Sequence, residues 1–158
     1  MASAEKNLST YTSKNVTDIS SKTFAIITSE WNDEITGALS NGAIETLKAH
    51  KVPTENIVRV DVPGTFELTL AAQKLAKYDN IDAVICIGCV IKGETSHNEY
   101  INHAVAQGLT DVSLKYDKPV VFGVLTPNTK QQALDRAGGK YGNKGDEAAI
   151  TAIKMLAI

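Results

Sequence analysis

Gly93-Glu94-Thr95-Ser96-His97 is the stretch of this 158-residue chain whose residue types most readily do chemistry. It follows an unbroken apolar run and leads into a helical pattern. Unpaired N–H groups and the helix dipole would favour an anion such as phosphate at that point. The hydroxyls of Thr95 and Ser96 add donors, while Glu94 suits an anion only if its carboxylate faces away. His97 falls in the first helical turn, where an imidazole can take or give a proton near neutral pH. Many helices begin this way with no ligand, and a lone histidine is more often structural than catalytic. His103 in mid-helix and His50 at a helix end are read as structural.

Other groups converge on similar places. Trp31, the one tryptophan, sits between Glu30 and Asn32 in a turn, outside any apolar pattern. Core packing and stacking on a heterocycle both fit it. Pro63-Gly64-Thr65-Phe66-Glu67 opens a helix. Gly64 would let a ligand approach the backbone, and Glu67 would accept from hydroxyls. On spacing alone, a turn with a helix cap explains that segment equally simply. Arg136, Lys140 and Lys144 cluster around Gly138-Gly139 and could clamp a phosphate or complement helix carbonyls. Arg136 suits a bidentate contact best.

Cys86 and Cys89 form a C-x-x-C, which can signal a redox pair or half of a metal site. Both lie in the run Ala83-Val84-Ile85-Cys86-Ile87-Gly88-Cys89-Val90-Ile91. In a strand, positions three apart point to opposite faces, so the sulfurs would not meet. No second ligand pair exists for zinc, and neither a Walker loop, a dinucleotide fingerprint nor a Ser-His-Asp set is present. No metal is expected.

The elements that must hold these residues alternate. Strands are predicted at 24–28, 58–62, 83–91 and 119–125. Helices are predicted at 33–51, 65–77, 96–116, 129–137 and 144–156. Ser96 with Glu99 fits a capping box, and Asn128 or Thr129 caps the fourth helix. Strict alternation implies an α/β three-layer sandwich, a four-stranded parallel sheet with helices on both faces. The site should then lie at the carboxyl ends of the strands. The turns at 30–32, 63–67, 92–97 and 126–129 fall there.

The length suits one domain, 1–158, with a polar tail over 1–20. A formal charge of −2 with scattered basic residues argues against nucleic acid. No apolar run is long enough to span a bilayer and the tail lacks a signal-peptide core, so a cytoplasmic protein is expected.

Taken in order, these segments resemble the lumazine synthase family of riboflavin biosynthesis, from Phe24 to Leu156. The matching stretches are Trp31-Asn32-Asp33 with Ile35-Thr36, Val62-Pro63-Gly64-Thr65-Phe66-Glu67 and Val90-Ile91-Lys92-Gly93-Glu94-Thr95-Ser96-His97. They continue through Phe122-Gly123-Val124-Leu125-Thr126, Gln132-Ala133 with Arg136-Ala137-Gly138, and Gly142-Asn143-Lys144-Gly145. Individually these motifs are weak, and their ordered combination is very specific. Ser96 and Asn98 depart from the proline and aromatic more common beside this histidine.

The resemblance implies a flavodoxin-like fold and a transferase. It would condense 5-amino-6-(D-ribitylamino)uracil with 3,4-dihydroxy-2-butanone 4-phosphate, without cofactor. It implies that Trp31 stacks on the pyrimidine, that Gly64, Thr65, Phe66 and Glu67 hold the ribityl chain, and that Val90 and Ile91 border the ring. Gly93, Glu94 and Thr95 would cradle the phosphate with Arg136 of a neighbouring subunit and Lys140 nearby. Phe122 of the neighbour would complete the aromatic wall, and His97 would move protons. It further implies a homo-oligomer of pentamers, in some members twelve of them closed into an icosahedral sixty-subunit shell, with riboflavin synthase as a candidate partner. Residues 136–144 show no insertion of the kind that often accompanies isolated pentamers, so the shell is expected. A tail strand through 17–21 could join a neighbour. Other readings are a different α/β enzyme acting on a phosphorylated sugar, a flavin or lumazine carrier, a purely structural shell protein, and the related archaeal-type riboflavin synthase. A carrier would need neither His97 nor the phosphate segment.

Overall fold

Strand β3 (Ala83–Cys89) is buried along its entire length, as its unbroken apolar run requires of a central strand. In the computed structural model, which describes residues 18–158, it lies between β1 (Phe24–Ser29) and β4 (Val120–Leu125). β2 (Ile57–Val62) pairs with the other side of β1, giving a wholly parallel sheet ordered β2-β1-β3-β4. Arg59 and Asp61 alternate with half-buried valines on β2, which suits an edge.

The sheet is covered on both faces. α1 (Asp33–Ala49) and α5 (Lys144–Met155) pack on one side, where Ile35, Leu39 and Leu47 meet Ile26, Ile85 and Ile153. α2 (Leu68–Ala76) and α3 (His97–Tyr116) cover the other with Leu68, Ala72, Val105 and Leu109 against Ile27 and Val84. The expected three-layer sandwich is the observed one. Cys86 belongs to the second core and Cys89 to the first, so the sulfurs are on opposite faces. Both are free thiols, and burial pushes that of Cys89 up to about 11 and that of Cys86 higher still. Neither is an ionised nucleophile.

Local differences from expectation have physical causes. Residues 65–67 form a 3-10 turn before α2 rather than its first turn. β3 stops at Cys89, although Val90 N–H still donates to Leu125 O (2.8 Å) and Lys92 N–H to Pro127 O (2.9 Å). The fourth helix, α4 (Lys130–Asp135), is shorter than predicted. Thr129 is its cap, its hydroxyl accepting from Gln132 N–H at 3.2 Å. After it, β5 (Ala137–Gly139) and β6 (Gly142–Asn143) make an antiparallel hairpin that periodicity did not suggest. Gly138 and Gly142 allow it with φ of 103° and 80°, a region that side chains disfavour.

Ser96 and Glu99 do not form a capping box: Ser96 makes no side-chain cap bond. Its φ and ψ of −74° and 8° leave it outside the extended conformation that aims a capping hydroxyl. Residues 1–17 lie outside the described residues. Of the segment expected to reach a neighbour, Ile19 is buried in the core of α1 and α5. No helix among the described residues is long and apolar enough to cross a membrane.

Candidate active site

Strand order reverses between β1 and β3, where chains leaving adjacent strands diverge and leave a crevice at their carboxyl ends. The segments expected to carry chemistry meet there because hydrogen bonds to the main chain tie each strand end to its neighbour. Glu30 N–H donates to Val62 O (2.8 Å) and Trp31 N–H to Pro63 O (3.2 Å), joining the ends of β1 and β2. Asn32 donates through Nδ2 to Cys89 O (2.9 Å), joining β1 to β3. It does so from a left-handed backbone (φ 63°, ψ 45°), one of the few conformations that can turn from β1 straight into α1. Asn32 was not singled out in the sequence. Its signal there was an asparagine at a tight strand-to-helix turn, a residue that tolerates this region.

This crevice is open. Trp31 is 73% exposed and Phe66 58%, large apolar surfaces that the chain leaves in water. Thr65 is buried beneath Gly88, while Glu67 folds back so that a Cβ on Gly64 would come within 3.0 Å of its carboxylate. A side chain at Gly64 would displace only the flexible end of Glu67, and the φ of −147° is ordinary extended chain. Val90 and Ile91 are half-buried just past β3. Gly93, Glu94, Thr95 and His97 are exposed, and nothing stands within 4 Å of where a Gly93 Cβ would be. Thr95 Oγ1 accepts weakly from His97 N–H (3.4 Å) at the start of the twenty-residue α3. Glu99 N–H donates to Ser96 O (2.9 Å), while the Thr95 hydroxyl keeps its own hydrogen to donate and the helix start faces solvent, where an anion can approach.

Phe122 and Arg136 are elsewhere. Phe122 pairs with Cys86, three residues before β4 ends, so it sits about 10 Å back from the strand ends. Together with Arg136, Tyr141, Lys144 and Met155 it lines a cleft of about 750 Å³ along the free edge of β4. Arg136 donates from Nη1 to Tyr141 O (2.6 Å) and from Nη2 to Glu147 (2.7 Å). Lys144 reaches the other oxygen of Glu147 at 3.2 Å. Glu147, which the sequence reading passed over, is 3% exposed. It looks like any acidic residue in a first helical turn, and only the fold brings it under Arg136. Lys140 is exposed on the hairpin with its ammonium over the Tyr141 ring at 5.0 Å, and it is not among the cleft-lining residues. Among the described residues, no three His, Cys, Asp or Glu side chains gather as a metal would need.

Comparison with known proteins adds sequence likeness to this geometry. A family model described as 6,7-dimethyl-8-ribityllumazine synthase matches residues 21–158. A protein of that name from Cytophaga hutchinsonii is 60% identical over 157 residues, covering 99% of this chain and 98% of the relative. One from Parabacteroides distasonis is 53% identical, with 99% and 98% coverage. One from Flavobacterium johnsoniae is 50% identical over the whole chain and 83% of the relative.

Proposed function

The chain belongs to the 6,7-dimethyl-8-ribityllumazine synthase family, and on that premise we propose that its active site is the strand-end crevice, completed by the β4-edge cleft of a neighbouring copy. The protein is a transferase of riboflavin biosynthesis. It condenses 5-amino-6-(D-ribitylamino)uracil with 3,4-dihydroxy-2-butanone 4-phosphate to 6,7-dimethyl-8-ribityllumazine, phosphate and water.

The observation that carries the two-copy reading is the separation of Phe122 and Arg136 from the crevice within one chain. Each half presents unsatisfied surface. Trp31 and Phe66 are exposed at the crevice, and Phe122 and Met155 line the β4-edge cleft with part of their surface exposed. A head-to-tail contact joining two different surfaces of the same chain makes a ring when its rotation closes and a filament when it does not. The ring is read as a pentamer and the final assembly as the icosahedral shell. The chain is read as one domain with a short tail, working in the cytoplasm, with riboflavin synthase as the enzyme that takes its product.

Within that site, Trp31 stacks on the pyrimidine, Val90 and Ile91 border it, and Phe122 of the neighbour closes the other side. Gly64, Thr65, Phe66 and Glu67 hold the ribityl chain, Glu67 accepting from its hydroxyls. Gly93, Glu94 and Thr95 with the start of α3 cradle the phosphate; Arg136 reaches it from the neighbour, with Lys140 as an outer cation. The 5-amino group attacks the ketone and forms an imine with loss of water. Phosphate is then eliminated, and the ribitylamino nitrogen attacks the remaining carbonyl and closes the ring with loss of a second water. His97 moves the protons. Both reactants are intrinsically reactive, so holding them together supplies much of the acceleration.

The test is a paired-substrate assay following lumazine fluorescence and phosphate release above the uncatalysed background, with the mass of the assembly measured by light scattering. Acceleration that needs both substrates, from particles of pentamer mass or a multiple, supports the reading. Acceleration by a monomer would remove the shared site, and tight riboflavin binding without acceleration would leave a carrier.

A further inference from the structure

We infer that Glu147 is a positioning residue, which sets Arg136 in the geometry that receives the substrate phosphate. The inference rests on Arg136 being a phosphate ligand, as proposed above. Glu147 lies in the first turn of α5 and is almost wholly buried, while Arg136 and Lys144 line the cleft in front of it. Both carboxylate oxygens are used, one by Arg136 at 2.7 Å and the other by Lys144 at 3.2 Å. The Tyr141 carbonyl takes the second guanidinium nitrogen at 2.6 Å. Two of the five N–H donors of Arg136 are thus held from behind, and the rest remain for an anion in the cleft.

A free arginine has many rotamers, and an anion that binds it must first select one. Here the carboxylate and the carbonyl have selected it already, which is how a supporting shell sharpens a binding group. Two cations on one carboxylate also leave a net positive charge toward the cleft, without the mutual repulsion that two unshared cations at this spacing would feel. Charge and geometry therefore predict opposite signs for the loss of Glu147. If only the local field mattered, removing a negative charge would tighten phosphate binding. If position matters, it loosens.

The experiment measures competitive inhibition by inorganic phosphate and separate KM values for both substrates in the full assembly, for Glu147→Gln, Glu147→Asp and Arg136→Lys. Melting temperature and particle mass are recorded alongside. Glu147→Gln is expected to weaken phosphate inhibition and raise the KM of the butanone phosphate about tenfold, the loss of one orienting charged hydrogen bond. The KM of the ribitylaminouracil should not move. Glu147→Asp keeps the charge and should recover part of the loss, and it carries the test if the glutamine variant does not assemble. Phosphate binding that is unchanged or tighter in Glu147→Gln, while Arg136→Lys weakens it, overturns the inference and leaves Arg136 as the ligand. Parallel loss of both KM values with the melting temperature also overturns it, since a merely structural residue behaves so. Unchanged phosphate inhibition in Arg136→Lys removes the phosphate reading of Arg136 itself, and the inference with it.

Discussion

The strand-end crevice and the β4-edge cleft are built on opposite principles. The crevice is exposed, made of backbone turns, a solvent-facing helix start and an exposed tryptophan. Its precision comes from ties to the main chain, such as Trp31 N–H to Pro63 O and the Asn32 side-chain amide to Cys89 O. The cleft is lined by the half-buried Arg136 and Lys144, both already bonded to the buried Glu147. In the proposed two-copy site, the two surfaces would divide the work between them. A surface that must admit a flat ring and a polyol can rely on shape. A surface that must grip a dianion needs cations held in advance, because an unsupported flexible cation costs binding when it is ordered.

The largest effect should come from cutting the cleft. Arg136→Ala is expected to lower kcat/KM about a hundredfold, the range for losing a charged hydrogen-bonding group. It also strands Glu147 with only Lys144, so the melting temperature should fall as well. His97→Ala, on the crevice, should cost only about tenfold if positioning dominates over proton transfer. The two together make the sharpest test. Dissociated and reassembled as a mixture, the two variants should regain activity, because about a quarter of the shared sites would then be intact. No recovery on mixing, with assembly intact, would mean that both residues serve one chain's site.

Trp31→Ala should raise the KM of the ribitylaminouracil about fivefold through lost stacking, leaving that of the butanone phosphate unchanged. In the parent protein, binding the pyrimidine should quench the fluorescence of this sole tryptophan. A smaller change is expected from Lys140→Ala, less than about twofold in phosphate affinity, since an exposed cation is screened by solvent. A loss as large as that of Arg136→Ala would move Lys140 into the phosphate site.

Asp146 offers the finest probe of the ground behind the cleft. Burial first, and then the neighbouring Glu147 carboxylate, hold its pKa above the ordinary value of 3.8. The folded state therefore binds its proton more tightly than the unfolded chain does. The ionised carboxylate lowers stability above its folded pKa, and that cost fades as pH falls through it. Asp146→Asn should raise the melting temperature slightly near neutral pH, with the gain disappearing in acid. An equal gain at both pH values would point to packing rather than charge.

Much of the crevice was legible in the chain because it is local. Each of its segments is a short run directly after a strand, and strand ends in a parallel sheet must lie side by side. The alternation of apolar runs and helical periods determined the layers, the four strands of the parallel sheet and the opposite facing of Cys86 and Cys89. The capping at Ser96 was misjudged because a capping box depends on backbone dihedrals that the residue types allow without requiring. The hairpin at β5 and β6 was missed because strands this short carry no period.

Of the β4-edge cleft, the sequence grouped Arg136 with Lys144, but the buried carboxylate that joins them belonged to the tertiary structure. Arg136 and Glu147 are separated by the hairpin and by the turn into α5, and no spacing rule joins them. Asn32 likewise reaches Cys89 across 57 positions. Sequence determines which groups stand at strand ends, since periodicity and turns act over a few residues. Which charged groups share a wall depends on packing between distant elements, and that is decided only when the sheet and its helices close on one another.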